Sequence, residues 1–593
     1  MSNQASTPLS GSAGPSLDGR LDSWKEIAAY LRREVRTVQR WEKSSGLPVH
    51  RLQIGKQGPV YAYKAELDAW YRDRRPDLDS DSAEQDAPSL PDVRTIRPWA
   101  VAGAVVLIAM LSVGAYLARN NSFSRIHSVP PKIKLAVLPF ANLSGDPTQN
   151  YFSAGLTDEM ITRLGSLDPQ RLGVIAAASS NALAGKPIAE IGRALDVQYA
   201  LKGSVRRDGN HVRIDVQLIQ VSDQTHIWAD SYDRDLNDIL RVQDDVATAV
   251  AGQIPMALNS SGGKVNRVVM AAMRSVNPEA YDAYLLGRFY FNYRPDVHKS
   301  IAAYQQAIQK DPQYALAYVG LASVYAYLGQ APNYDVAPVE TMPKAREAAE
   351  RALQLDPQLA EAHAVLAYVA FNYEWDFAKA EREFQRTLTL NPNNPTPTLW
   401  YGRYYIARNR MSQALEENSR LLEVDPVSPI FNLGRAEIYY YQRNYDVAIV
   451  QASRAIKLYP TYWFPYIWLG SSYREKKMYS EALEQFSKAR QLSGDQPVMI
   501  ALYGHALAVS GDAAGARKTL FKLQDLAQSR HVPPLYFAAI YLGLGETSTA
   551  LDWLDRAYKE RNDRLVYLGV DPIADPLRGD PRFAQLLHKI GIQ

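Results

Sequence analysis

The chain has 593 residues and no cysteine, which excludes disulfides, thiolate metal sites and cysteine nucleophiles, and leaves the redox compartment unread. The short signatures of common catalysis are missing too. No GxxxxGK[ST] phosphate loop, HRD or DFG kinase triplet, HExxH helix or GxSxG elbow occurs. Overall charge is nearly balanced at +3, but the balance is uneven along the chain. From Leu21 to Arg75 there are 12 Lys/Arg against 7 Asp/Glu, a local excess of +5, as a phosphate-binding surface requires. Long apolar runs are scarce, with one exception at residues 98–118. A chain of this length, 47% hydrophobic, divides into several domains.

Residues 1–20, rich in Ser, Gly and Pro, read as a leader without fixed structure. Ser23 and Glu26 then form a capping-box pattern before Ile27, Ala28 and Leu31, so a short helix starts there. After a turn at Arg32, Arg33 and Glu34, a second helix is predicted with Val35, Val38 and Trp41 inward and Arg36, Thr37, Gln39 and Arg40 outward. Two short helices joined by a tight turn fit the major groove, where Arg takes guanine and Gln takes adenine. Gly55 and Gly58 punctuate two β-prone runs, and a helix through Leu67 and Trp70 follows. The segments SWKEIAAYL, VRTVQRWE, GLPVHR and VYAYKAELDAW resemble the winged helix-turn-helix of the MerR and excisionase class. That resemblance implies base contacts from Arg36, Thr37, Gln39 and Arg40, and phosphate contacts from Arg33, Arg51, Lys56 and Lys64. The alternative is a helical protein-interaction module with a solvated basic face.

Residues 76–97 carry spaced aspartates among Ser, Ala and Pro and read as an acidic tether. Residues 98–118, PWAVAGAVVLIAMLSVGAYLA, carry no charge. At about 1.5 Å rise per residue they are long enough to cross a bilayer, so a single transmembrane helix is expected. Basic residues flank the run on both sides and do not set orientation. A DNA-binding head would set it: N-terminus cytoplasmic and C-terminus extracytoplasmic, in a bacterial inner membrane.

Residues 132–255 alternate short apolar strands with amphipathic helices, the pattern of a small α/β domain. AVLPFANLSGD, GLTDEM, YALKGSVRR, VRIDVQLI and IWADSYDRDL resemble the TolB-like N-terminal domain, which implies an interaction or sensing module and no reaction. Such domains also occur in chains labelled as nucleotide cyclases, but no second catalytic domain is legible here. Asp158, Glu159, Asp230, Asp233 and Asp235 are read as helix caps and solvated faces, because no spacing among them fixes a metal or reaction geometry. A linker, 256–276, follows.

From 277 to 593 the chain repeats. Alanines at 380, 414, 448, 482, 516 and 550 are each 34 residues apart, the tetratricopeptide (TPR) period. Asn391-Pro392, Asp425-Pro426 and Tyr459-Pro460 keep the same interval. Leu469, Gly470, Tyr473, Ala482, Phe486 and Ala489 stand at that family's offsets, with Gly470 and Ala482 allowing close helix approach. About eight repeats and a C-terminal cap are expected, stacked as a superhelix that takes up a protein or peptide. Of 37 tyrosines, 29 lie at or beyond Tyr281. Tyr404, Tyr405, Tyr440 and Tyr441 are candidates for a partner groove, against the alternative of ordinary repeat packing.

The expected fold class is therefore multidomain: a small winged helix-turn-helix, a transmembrane helix, a TolB-like α/β domain and an all-α TPR superhelix. The arrangement resembles the ToxR and CadC architecture. It implies a membrane-anchored one-component transcription regulator whose partners are double-stranded DNA, the membrane, a ligand on the repeats and a second copy of itself. No catalytic residue, cofactor or metal is expected. The alternative is an envelope scaffold whose head binds a cytoplasmic protein.

Overall fold

The computed structural model describes residues 20–51, 60–71, 132–254, 276–330 and 336–592. Two compact units divide the chain at residue 125.

In the first unit, the helix Trp24–Leu31 begins at Ser23, whose hydroxyl accepts from the Glu26 amide at 3.2 Å. The Glu26 carboxylate accepts from the Asp22 amide at 2.9 Å. Both halves of a capping box are thus in use, one residue earlier on the return side than the simplest form. Arg32 ends the helix in the left-handed conformation, and Val35–Ser45 forms the second helix, closed by Gly46 at φ 64°. Strands β1 (Arg20–Leu21), β2 (His50–Arg51) and β3 (Val60–Tyr63) make an antiparallel sheet in the order β1-β3-β2. Residues 64–71 are helical. Ile27, Ala28, Leu31, Val38, Trp41 and Leu67 bury together, so both helices and the last one share a single core.

In the second unit a sheet runs in the order β6-β4-β7-β8-β9, with short β5 (Ala141–Asn142) also on β7. Its parallel half is β4 (Ile133–Val137), β6 (Leu172–Val174) and the start of β7 (Tyr199–Asp208). Its antiparallel half is the meander from β7 through β8 (His211–Gln220) to β9 (His226–Asp235). Period-2 alternation sends Leu135 and Val137 to one face and Ala136 to the other. The first face packs on the helices Asn150–Leu167 and Ile239–Gln253, the second on Ile188–Leu195.

The rest of the unit is a succession of antiparallel helix pairs from Pro278 to Lys559, eight pairs among the described residues. Many first helices begin with proline in the first turn, as at Pro395, Pro429 and Pro497, where its missing N–H is not needed. Asp311, Asp356, Asn391, Asp425 and Tyr459 are the C-caps of second helices, each followed by proline. The six alanines at 34-residue spacing are fully buried. Two 3₁₀ turns, Asp563–Tyr567 and Pro572–Leu577, and the helix Pro581–Lys589 close the array.

One expectation is corrected. A bilayer needs about 20 consecutive apolar residues, and no helix among the described residues is long and apolar enough to cross one. The longest, Asn150–Leu167 and Pro338–Leu355, reach 18 residues and carry charged side chains along them. Residues 98–118 lie outside the described residues. The single transmembrane helix in the fold class, and the single-pass inner-membrane location built on it, are therefore withdrawn.

Candidate nucleic-acid interface and repeat cavity

The second helix of the first unit is held by Val38 and Trp41, and its opposite side carries the candidate base readers. Arg36 and Arg40 are exposed, while Thr37 and Gln39 are half-buried. Arg33 is exposed in the inter-helix turn with its guanidinium 6.0 Å from the Trp41 ring centre. Arg51, on β2, pairs with Glu42 of the second helix, tying strand to helix. Lys64 is exposed, its ammonium 5.5 Å from the Tyr30 ring centre, and the Tyr30 hydroxyl donates to Asp68 at 2.9 Å. Lys56, with Gly55 and Gly58, lies outside the described residues. His50 stacks on Tyr61 at 5.2 Å and meets Glu66 at 2.7 Å, and the Arg20 guanidinium lies 4.1 Å from the Tyr61 ring centre. These contacts order the β-ribbon beside the basic helix.

In the second unit, Asp158 and Glu159 depart from their expected role as solvated or capping residues. Both are buried. Arg288, from the first repeat helix Pro278–Asn292, reaches Glu159 at 2.6 Å and Asp158 at 3.3 Å. The hydroxyl of Tyr284 donates to Glu159 at 2.8 Å, and that of Tyr293 to Asp158 at 2.7 Å. Nearby, Arg207 of β7 grips Asp282 with two bonds at 2.6 and 3.0 Å, and Tyr151 donates to the same carboxylate at 2.7 Å. A second seam joins the α/β domain to later repeats. There Asn393 donates to the carbonyls of Gly165 and Leu172 at 2.9 and 3.1 Å, and Ser179 donates to Asp425. Burial raises the Asp425 carboxyl to about 6 against the opposing Ser179 hydrogen bond. Asp230, Asp233 and Asp235 sit instead on the exposed edge strand β9, the last two beside His211.

The inner side of the repeats encloses a cavity of about 720 Å³, roofed by residues of the two closing 3₁₀ turns. Of the four tyrosines singled out by sequence, all are buried. Tyr440 and Tyr441 line the cavity. Tyr404 points elsewhere, donating to Glu381 at 3.0 Å, and Tyr405 lies under the Arg410 guanidinium at 4.8 Å. The structure thus divides the crowded tyrosines between cavity wall and repeat packing. Sequence reading missed the cavity's charged residues. Arg403 is the one charge in the helix Pro395–Ala407 and Glu437 the one acid in Pro429–Tyr441, both rich in aromatic and aliphatic residues, and that was the available signal. Arg564 comes from the cap, its guanidinium donating to the Tyr441 hydroxyl at 2.8 Å. Among the described residues no group of three or more His, Asp or Glu is arranged to hold a metal ion.

Comparison with known proteins matches residues 131–249 to the family described as HilA/YgeH-like transcriptional regulator, second domain. Residues 402–462 and 433–497 match the tetratricopeptide repeat. A Rhizobium meliloti (strain 1021) protein, provisionally named adenylate cyclase 3, is 35% identical over 244 residues. That match covers 40% of this chain and 40% of the relative, so the chain spans well under half of the relative's length. Among solved structures, a tetratricopeptide repeat protein from Parabacteroides merdae is 17% identical at a TM-score of 0.36, over 46% of this chain and all of that one. One from Thermus thermophilus is 18% identical at 0.23, over 38% of this chain and 98% of its own.

Proposed function

We propose that the chain, which carries a HilA/YgeH-like regulator domain and TPR repeats, is a transcription regulator that binds duplex DNA through residues 21–75. The match of residues 131–249 to a regulator family's domain carries this reading. The head supports it: a helix of about one groove width, anchored by Val38 and Trp41, presents Arg36 and Arg40 outward. In this reading Arg36, Thr37, Gln39 and Arg40 face bases, and Arg33, Arg51, Lys56 and Lys64 face phosphates, in the manner of a MerR-like winged head. The Arg51 side chain is half-exposed beside Glu42, so its outer edge is open to a phosphate while the pair is kept. Residues 132–255, which also resemble the TolB-like domain, join the head's segment to the repeats at 277–593, where a protein or peptide partner binds. The reading contains no reaction, so the full-length protein with ATP and a divalent cation releases no cyclic AMP.

Selection of bound duplexes from a random pool by the full-length protein is the test. Enrichment of a defined operator is expected, with affinity falling steeply as salt rises because bound cations displace condensed counterions. Arg36→Ala and Arg40→Ala each weaken that site by about 10- to 100-fold, the worth of a guanidinium reading a guanine edge. Failure to enrich any sequence, or equal affinity for all duplexes in both variants, defeats the regulator reading.

A further inference from the structure

The repeat cavity has the size and lining of a ligand site, and two of its polar atoms lack partners. Its 720 Å³ lies within the range of about 300–1,000 Å³ typical of small-molecule pockets. Tyr368, Trp400, Tyr440, Tyr441, Trp468 and Tyr567 supply aromatic wall from four separate repeats and the cap. Several are already paired with one another, Tyr368 with Trp400 at 4.6 Å and Tyr441 with Tyr567 at 5.6 Å. Arg564 donates from Nη2 to the Tyr441 hydroxyl and lies 4.4 Å from the Tyr567 ring centre.

Arg403 and Glu437 differ. The Glu437 side chain is 6% exposed, and its Oε1 has no hydrogen-bond partner. The Arg403 Nε is likewise buried and unpartnered, and its Nη2 stands 3.7 Å from Glu437, outside hydrogen-bond reach. Buried native polar groups are nearly always paired, so an adjacent unmet acceptor and donor in an aromatic cavity point to a molecule that supplies both. A carboxylate ligand would meet Arg403 but oppose Glu437, and an ammonium the reverse. The remaining charges favour neither: Asp563 faces Arg564, while burial pushes Glu361 and Asp571 toward their neutral forms. A primary carboxamide presents an N–H and a C=O side by side, as do the N–H and C=O of a single extended peptide residue, and either satisfies both atoms.

We infer that this cavity binds a compact aromatic group bearing a neutral amide, with the amide between Glu437 and Arg403 and the ring among Tyr440, Tyr441 and Trp468. This deepens the reading that the repeats take up a partner. The chemistry has two sources, a free small amide or an aromatic residue of a bound peptide. Full-length protein is titrated with N-acetyl-phenylalaninamide and, separately, with a capped hexapeptide containing one phenylalanine, following tryptophan fluorescence and calorimetry. Saturable one-to-one binding of the small amide, with a dissociation constant on the order of 1 mM or tighter, assigns a free ligand, and saturation by the hexapeptide alone assigns a peptide. In either case Glu437→Gln and Arg403→Met weaken binding at least tenfold. Hydrogen exchange on the unmodified protein provides a readout independent of variant folding: the bound probe slows exchange in 429–441 and 563–574. Neither probe saturating, or both variants binding normally, or protection confined elsewhere, overturns the proposal. DNA is absent from the assay, so its failure leaves the regulator reading standing, and failure of operator enrichment leaves this site standing.

Discussion

Gly470 shows how one atom sets repeat geometry. A Cβ there would lie 2.8 Å from the ring of fully buried Phe486, which is packed in one cluster with Ala482 and Ala506. Gly470→Ala is expected to destabilise the array by about 1–3 kcal/mol, the usual cost of overpacking, seen as a lower denaturant midpoint with unchanged helical content. An unaltered midpoint would mean the ring moves freely. Asp425 is the other telling residue, since its carboxyl is buried at the seam with Ser179 and raised to about 6. Its pKa in the folded chain exceeds the unfolded value near 4. Its contribution is therefore fully present below about pH 4 and is lost as pH rises through about 6, leaving a charged, buried carboxylate above that. Asp425→Asn removes this loss. The variant should gain on the order of 2 kcal/mol over the wild type at pH 7.5 and little at pH 4.5, read by thermal melts at both. Equal effects at the two pH values would count against a titrating Asp425.

At the scale of elements, the helix Asn150–Leu167 has a weakly amphipathic pattern because it is covered on more than one side. It packs on the sheet through Phe152, Leu156 and Leu164, and toward the first repeat it presents Asp158 and Glu159. Arg288 compensates both carboxylates. Removing one partner from a buried ion cluster costs more than the cluster itself contributes, because charge is left without a counterion. Arg288→Met should therefore destabilise by about 3–5 kcal/mol. Asp158→Asn and Glu159→Gln added to it should recover much of that, and denaturation of the single, double and triple variants measures the coupling. If the neutralised triple variant is as unstable as Arg288→Met, packing and not charge governs the seam. The sequence supplied these residues but not their roles, since the partners lie 125 to 135 positions apart.

For the second unit as a whole, the α/β domain and the repeats share one core. Leu135, Val137, Leu156 and Leu201 bury in the same cluster as Tyr281, Tyr284, Tyr304 and Ala317. The linker expected at 256–276 thus joins parts that are packed together and not independent. Removal of residues 277–593 should expose Phe152, Leu156 and the charged pair Asp158 and Glu159. The truncated 126–276 piece is expected to aggregate or bind a hydrophobic dye, whereas a monomeric, cooperatively melting fragment would show that the seam is dispensable. Such a truncation cannot test the repeats alone.

What the sequence determined by itself was periodic and local. The 34-residue alanine spacing, the capping box at Ser23 and Glu26, the strand alternation in β4 and β8, and the inward Val38 and Trp41 depend on neighbours a few residues away, or on a repeat that reiterates itself. Long-range pairing decided the remainder. Asp158 and Glu159 became buried partners of Arg288, and Asp425 became a buried carboxyl at a seam. Tyr440 and Tyr441 were separated from Tyr404 and Tyr405 by which wall each helix turned to the cavity. A charged residue's environment is set by whatever the chain folds against it, and that is not contained in its local pattern.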